Sequence, residues 1–507
     1  MSDINFPSGR NPNDDYNLGD DSKIVNYNNF DKKKIFMRKH AVGHLPDDLV
    51  KFINNDSYSL LIKGKPGTGK TILALTLMDN LNYDSNYFYI STKLSIKQLF
   101  NFYPWINKFV SKSNSNYEYK FEDARLDEPE SLFERITNQL MDAKSPTIII
   151  DTWDAVASFM DRESRLNNER ILQIWRERAG AKLIFISESS DIHLLDSIVD
   201  GVVTLNYEYE SPRYYRKLFC SKLRGIPIIC SQYYYTLFNG FFYVFDSFLN
   251  LNIFEQFKSK NGYPYQKRFS INKRREYGSN RYPQKNTDTD IFTKFFNNKL
   301  VTLEFDLNIN DGLILSLIFK SLFYWLASNN LILISNFQPN FYPMLKKAIL
   351  RFHSHKFLAN NLLNDIIDYH KFDTIYNNCE KENQSCYEKK DIFNEAQDSI
   401  NEILSPILKN KNYDYNNILN LIDGNSIVNL ISNIKYIDFI KKNPFNNIII
   451  LKKQDSIDTS ILLSNGEYYK IILKDSNILL ESKNSLISAF GALNLNKNYF
   501  IDWFPLY

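Results

Sequence analysis

Gly64-Lys65-Pro66-Gly67-Thr68-Gly69-Lys70-Thr71 carries a complete GxxxxGK[ST] pattern. Glycines at this spacing let successive backbone N–H groups turn inward around phosphate oxygens, and a helix beginning directly afterwards adds the positive end of its dipole. In such a loop Lys70 is expected to meet the β- and γ-phosphates of a nucleotide, and Thr71 to offer its hydroxyl to Mg²⁺. The metal also needs a carboxylate at the end of a neighbouring buried strand. Asp151, which closes the apolar run TIII at 147–150, supplies one. The chemistry expected is binding of ATP with Mg²⁺ by the eight loop residues and Asp151, with Thr71 and Asp151 holding the metal.

These residues need particular elements around them. The run YSLLIK at 58–63 fits a buried strand leading into the loop. After the loop, Leu73, Leu77 and Leu81 recur at four-residue spacing, widened by Ala74 and Met78, which predicts a helix over 71–81 packed on a sheet. Further strands are expected at 86–91, 147–150, 182–187 and 198–205. Helices are expected at 131–143 and 163–179, with Gly180 as a C-terminal cap. Strands alternating with helices imply right-handed crossovers and a parallel sheet, with the phosphate loop at the carboxyl ends of the strands.

With LLIKGKPGTGKTILAL at 60–75, YIST at 89–92, YPWI at 103–106, IIIDTWDAVA at 148–157 and DGVVTL at 200–205, residues of about 40 to 245 resemble the RecA-like ATPases of the KaiC group. Within that group the archaeal gas-vesicle regulators of the GvpD family are the most similar. The resemblance extends to Lys222-Leu223-Arg224-Gly225. It implies that Lys222 and Arg224 reach across a subunit boundary to a neighbour's nucleotide, Arg224 as a planar, permanently charged finger on the γ-phosphate, and so implies a homo-oligomer. A basic hairpin tip facing water fits the same residues.

One departure bears on catalysis. KaiC-like ATPases place a glutamate just beyond the strand that follows the loop helix, where it polarises the attacking water. Ser91-Thr92-Lys93 occupies that place here, and lysine is a poor base near neutral pH. Glu188, after the strand at 182–187, and Asp154 are the substitute carboxylates. GvpD-like sequences share the departure, which favours slow turnover or a nucleotide-dependent switch. Arg162, Arg165, Arg170, Arg176 and Arg178 are interleaved with acidic residues, as on a solvated helix face laced with ion pairs. The resemblance adds contact with a protein partner, a transcription regulator, as their alternative role.

The second half holds six dispersed glycines and no phosphate loop. Strands are expected at 299–307, 331–335, 447–451 and 468–473, and helices at 311–327 and 342–370. KLVTLEFDLNINDGLILSLIF at 299–319 places strand, loop and helix as the first half does, with 308–312 (NINDG) where the phosphate loop would stand. This is similar to the second domain of KaiC-type tandem proteins with its nucleotide site lost, and an unrelated α/β domain also fits. Between the halves, Lys258 to Lys285 holds nine basic residues against Glu276 alone, interspersed with Tyr263, Tyr265, Phe269, Tyr277 and Tyr282. That composition suits single-strand nucleic acid, and equally a linker or a contact with an acidic protein.

Composition sets the outer bounds. The 507 residues are 44% hydrophobic and 15% aromatic with only 16 glycines and 16 prolines, which excludes fibrous and low-complexity classes. Net charge is +3. Four cysteines show neither a CxxC pair nor zinc spacing, and read as the reduced thiols of a cytoplasmic protein. The N-terminus shows neither the apolar core nor the basic leader of a signal peptide, and the apolar run at 312–327 is short for a membrane span and contains Lys320.

The expected fold is therefore α/β. A disordered tail over 1–38 precedes a RecA-like P-loop domain with a mainly parallel sheet over 39–248. A basic linker over 249–297 leads to a second α/β domain over 298–507. The expected function is that of a slow ATPase or nucleotide-dependent regulator working through protein contacts. A DNA-dependent recombinase-type ATPase and a non-hydrolysing ATP-binding module are the alternatives.

Overall fold

Three isoleucines in succession at 148–150 are all buried, because the strand that carries them is covered on both faces. It is one of nine strands in the first of the two sheets found among the described residues. The architecture comes from a computed structural model that describes residues 43–81, 86–110, 119–142, 145–188, 194–210, 213–247, 251, 299–328, 330–350 and most of 358–369 and 398–506. The tail at 1–38, the basic stretch at 258–285, Cys379 and Cys386 lie outside the described residues. Residues 40–507 group as one unit.

The first sheet contains β1 (Tyr58–Gly64), β2 (Tyr87–Ser91), β3 (Tyr119–Asp123), β4 (Thr147–Asp151), β5 (Lys182–Ser187), β6 (Gly201–Glu210), β7 (Arg213–Leu223), β8 (Gln232–Thr236) and β9 (Tyr243–Val244). Their order is β3-β2-β4-β5-β1-β6-β7-β8-β9. The first six are parallel and the last three add on antiparallel. Along β1, Leu60 and Ile62 face the Lys70–Asn80 helix, in the same cluster as Leu73 and Leu77. Leu61 faces the opposite layer, where Leu132, Ile136 and Leu172 come from the helices Pro129–Asp142 and Arg162–Ala179. Each such fully buried aliphatic side chain contributes about 1.5–3 kcal/mol.

Local signals set the ends of these helices. Asp161 accepts the backbone N–H groups of Glu163 and Ser164 at 2.9 and 3.0 Å, and caps the Arg162–Ala179 helix at its start. Gly180, in the left-handed region with φ 62°, ends it. The strand expected over 198–205 is corrected. A short helix, Leu194–Ile198, precedes it, β6 begins at Gly201, and the strand runs on to Glu210. Its polar second half is held by antiparallel pairing with β7, which hydropathy does not register.

The second sheet contains β10 (Leu300–Phe305), β11 (Leu331–Ser335), β12 (Leu362–Asn364), β13 (Ile418–Asp423), β14 (Asn446–Lys452), β15 (Glu467–Lys474), β16 (Asn477–Ser482), β17 (Ala489–Leu493) and β18 (Asp502–Pro505). Its order is β12-β11-β13-β14-β10-β15-β16-β17-β18. Counted from its own first strand, each sheet reads 3-2-4-5-1-6-7-8-9, parallel through the sixth strand and antiparallel beyond.

The Asp311–Ala327 helix occupies the place that the Lys70–Asn80 helix holds in the first sheet. It is capped by Asn310, whose side chain accepts from the Leu313 N–H at 2.8 Å. Lys320 within it pairs with Asp502. No helix among the described residues is long and apolar enough to cross a membrane. The helix expected over 342–370 is corrected: it covers Phe341–Leu350, and 362–364 is the edge strand β12, paired with β11.

Candidate nucleotide-binding site

The phosphate loop leaves the carboxyl end of β1 and enters the Lys70–Asn80 helix, as the pattern predicts. At Gly64 a side chain is excluded, since an added Cβ would lie 2.4 Å from the Leu205 carbonyl oxygen and 2.9 Å from Thr68 Oγ1. Gly69, with φ 94°, turns the chain into the helix in a conformation that suits glycine. Thr68 is buried and its hydroxyl donates to the Lys65 carbonyl at 2.8 Å, which closes the loop on itself.

Lys70 is 7% exposed, and its Nζ donates to the carbonyls of Gly64 at 2.7 Å and Lys65 at 3.0 Å. Burial lowers its pKa, while the nearby carboxylates of Glu188 and Asp151 act in the opposite direction. The ammonium is thus held beneath the loop with its charge only partly compensated. Thr71 Oγ1 donates to Asp151 Oδ2 at 2.7 Å, and Tyr89 OH donates to the same oxygen at 2.6 Å. Burial raises the Asp151 pKa, and these two hydrogen bonds and the charge of Lys70 oppose the rise.

A loop with no room for a side chain at Gly64, a buried ammonium beneath it and a hydroxyl–carboxylate pair beside it fit the phosphates of a nucleotide and a hard divalent cation. The carboxylate end of β4 is adjacent to β2, with Ser91 in register with Asp151. Beyond Ser91, Thr92 Oγ1 exchanges hydrogen bonds with the backbone of Thr152, at 2.7 and 3.2 Å. Lys93 stands where the resemblance would have a glutamate. It forms an ion pair with Glu188, which comes from the end of β5. Asp154 accepts from Ser187 Oγ at 3.1 Å and from the Glu188 N–H at 2.5 Å, and so is committed to the end of that strand.

Lys222 and Arg224 are not brought to this loop. Lys222 Nζ donates to the carbonyls of Asp196 and Ser197 at 3.1 and 3.2 Å. Arg224, 63% exposed, pairs with Asp200 at 2.8 Å. In the paired register Leu223 meets Gly201, Gly201 meets Leu60, and Gly64 meets Leu205. Arg224 therefore stands about 13 Å or more along the strands from the phosphate loop of its own chain. Of the arginines at 162–178, Arg165 pairs with buried Glu169 at 2.8 Å and Arg176 with Asp200 at 3.4 Å, while Arg162 and Arg170 are exposed.

Four residues that touch the site carry no signal in the sequence. Tyr89 lies in an ordinary strand. Arg216 Nη1 donates to the Gly67 carbonyl at 3.0 Å, Tyr235 OH to the Thr68 carbonyl at 2.5 Å, and Leu237 packs beside Gly69. Arg216 is one cation among several on β7, and nothing in its spacing from the loop marks it.

The corresponding place in the second sheet has inverted charge. The first residue of its helix is Asp311 where the first sheet has Lys70, and Asp311 pairs with Lys452 at 2.7 Å. Asp423 ends β13 as Asp151 ends β4, but it accepts from the Asn425 N–H and Ser426 Oγ, each at 3.0 Å. Burial raises its pKa.

The family described as the P-loop domain of the GvpD gas vesicle protein matches residues 49–220. Protein GvpD2 of Halobacterium salinarum is 26% identical over 222 residues, which is 40% of this chain and 44% of the relative. Protein GvpD1 of the same organism is 29% identical over 223 residues, 39% of this chain and 40% of the relative. The aligned region thus spans less than half the length of these relatives. Among solved structures, a KaiC-like protein of Pyrococcus horikoshii aligns over 41% of this chain and all of its own, at 15% identity and a TM-score of 0.34. The segment at 49–220, built on the phosphate loop, is therefore similar to the P-loop domain of the GvpD gas vesicle protein.

Proposed function

We propose that the chain binds ATP with Mg²⁺ at the phosphate loop and works as a nucleotide-dependent regulatory switch with slow turnover. The observation that carries this reading is the assembly of buried Lys70 under the loop with Thr71 hydrogen-bonded to Asp151 at 2.7 Å. The ion would neutralise phosphate charge. Lys70 supplies the matching positive charge from the protein, and Thr71 and Asp151 hold the metal.

Glu188 is the carboxylate we assign to orienting the attacking water, and its pairing with Lys93 is the reason for slow turnover. Arg224, distant from its own loop, is assigned to a neighbouring copy's nucleotide together with Lys222. The output passes through protein contacts, with a transcription regulator as the partner that the GvpD likeness suggests, and the free thiols of Cys220 and Cys230 suit a cytoplasmic setting.

The test is ATP turnover by the purified protein, with and without single-stranded DNA, beside its oligomeric state with ATP. Slow, DNA-independent turnover with nucleotide-dependent assembly is expected. Turnover strongly stimulated by DNA would replace the switch with a motor.

A further inference from the structure

Strands β7 and β8 stand between the phosphate loop and the second sheet, and they touch both. Their register pairs Arg216 with Tyr235 and Lys217 with Tyr234. Successive side chains on a strand point to opposite faces, so these neighbouring pairs look in opposite directions. The first faces the loop, with Arg216 on the Gly67 carbonyl and Tyr235 on the Thr68 carbonyl. The second faces the hairpin turn between β15 and β16.

That turn is tightly specified. Asp475 and Ser476, with φ 45° and 68°, are the two left-handed central residues of a two-residue hairpin. Asp475 Oδ2 accepts from Tyr234 OH at 2.8 Å and Gln232 Nε2 at 2.7 Å, with Lys217 Nζ at 3.6 Å. Asn477, 1% exposed, accepts the Tyr234 N–H at 3.3 Å and donates to the carbonyls of Phe245 and Asp246 at 3.0 and 2.9 Å. Beneath these contacts Tyr215, Tyr234 and Phe245 share an apolar cluster with Leu479, Phe504 and Leu506.

We propose that Asp475 and Asn477, supplied by the second sheet, are positioning residues for the phosphate loop. They hold one face of the β7–β8 ribbon, and its other face fixes the carbonyls of Gly67 and Thr68. A loop fixed in advance loses less freedom when a ligand binds, so nucleotide affinity depends on a turn in the other half of the chain. This rests on the reading that the loop binds ATP. By reciprocity, bound nucleotide stabilises the turn.

The experiment compares ATP affinity by calorimetry in the full-length protein, Asp475→Asn and Tyr234→Phe, with Lys70→Ala as the reference for loss of the loop itself. Asparagine tolerates the left-handed backbone of position 475, so the hairpin is retained. Each variant is expected to bind ATP roughly fivefold to tenfold more weakly, and the Asp475→Asn effect to shrink in a Tyr235→Phe background.

Hydrogen exchange on the unmutated protein gives an independent reading: ATP should slow exchange at the amides of 474–477. Wild-type affinity in both variants, or exchange at 474–477 indifferent to ATP, overturns the inference while leaving ATP binding intact. Failure of the wild type to bind ATP overturns the nucleotide reading and this inference with it.

Discussion

Lys93 and Glu188 form an ion pair near Lys70, and under the proposed reading this pair sets the pace of turnover. If Glu188 orients water and Lys93 restrains it, the two substitutions act in opposite directions. Glu188→Gln is expected to slow turnover about hundredfold at unchanged ATP affinity, and Lys93→Ala to speed it, both read in single-turnover assays. Equal effects of the same sign would remove Glu188 from the chemistry. Cys220 offers a check on packing around β7, because burial pushes its thiol up to about 12. At neutral pH an alkylating reagent should leave Cys220 unmodified in the folded protein and react with it once the chain is denatured, as peptide mapping would show. At this scale the loop was legible from its spacing and Asp151 from the apolar strand it closes, and the fold brings Thr71 to 2.7 Å from Asp151. Tyr89, Arg216 and Tyr235 were not, since the fold alone brings them to the loop from distant strands.

Among the elements, the Lys70–Asn80 helix shows how the site depends on the core. Nine of its eleven residues are buried, and Leu77 is fully enclosed. Leu77→Ala should cost about 2–5 kcal/mol in denaturant unfolding and weaken nucleotide binding through displacement of the loop. Elements with strong apolar periodicity or clear caps were readable: the strand at 182–187 and the helix at 311–327 fall where the sequence put them.

Elements held by pairing rather than by hydropathy were not. Strand β13 went unrecognised because Asn420 interrupts its apolar run. In the fold that side chain is enclosed by hydrogen bonds to Ser335 at 2.9 Å, Tyr369 at 2.8 Å and Asn447 at 3.0 Å. The edge strand β12 was hidden by helix-like periodicity across 342–370, within which 362–364 pairs as a strand with β11.

At the scale of the molecule, the two sheets among the described residues share one strand order, and the phosphate-loop pattern at 64–71 lies in the first. The helix of the second sheet starts with Asp311, paired with Lys452, where the first has Lys70, and its hairpin turn contacts Gln232 and Tyr234 of the first sheet through Asp475. The joint between them contains Phe504, Tyr234 and Leu479. Phe504→Ala should cost about 3–5 kcal/mol and split thermal unfolding into two transitions, which calorimetry would detect. A single transition of unchanged midpoint would mean that the joint contributes little.

The central claim is that the loop at 64–71 binds ATP with Mg²⁺. Its most direct test is equilibrium titration of ATP into wild-type protein and Lys70→Ala, with and without Mg²⁺. Saturable, Mg²⁺-strengthened binding that weakens about hundredfold or more in Lys70→Ala is the predicted result, a difference of about 2.7 kcal/mol. Equal affinity in the two proteins would contradict it.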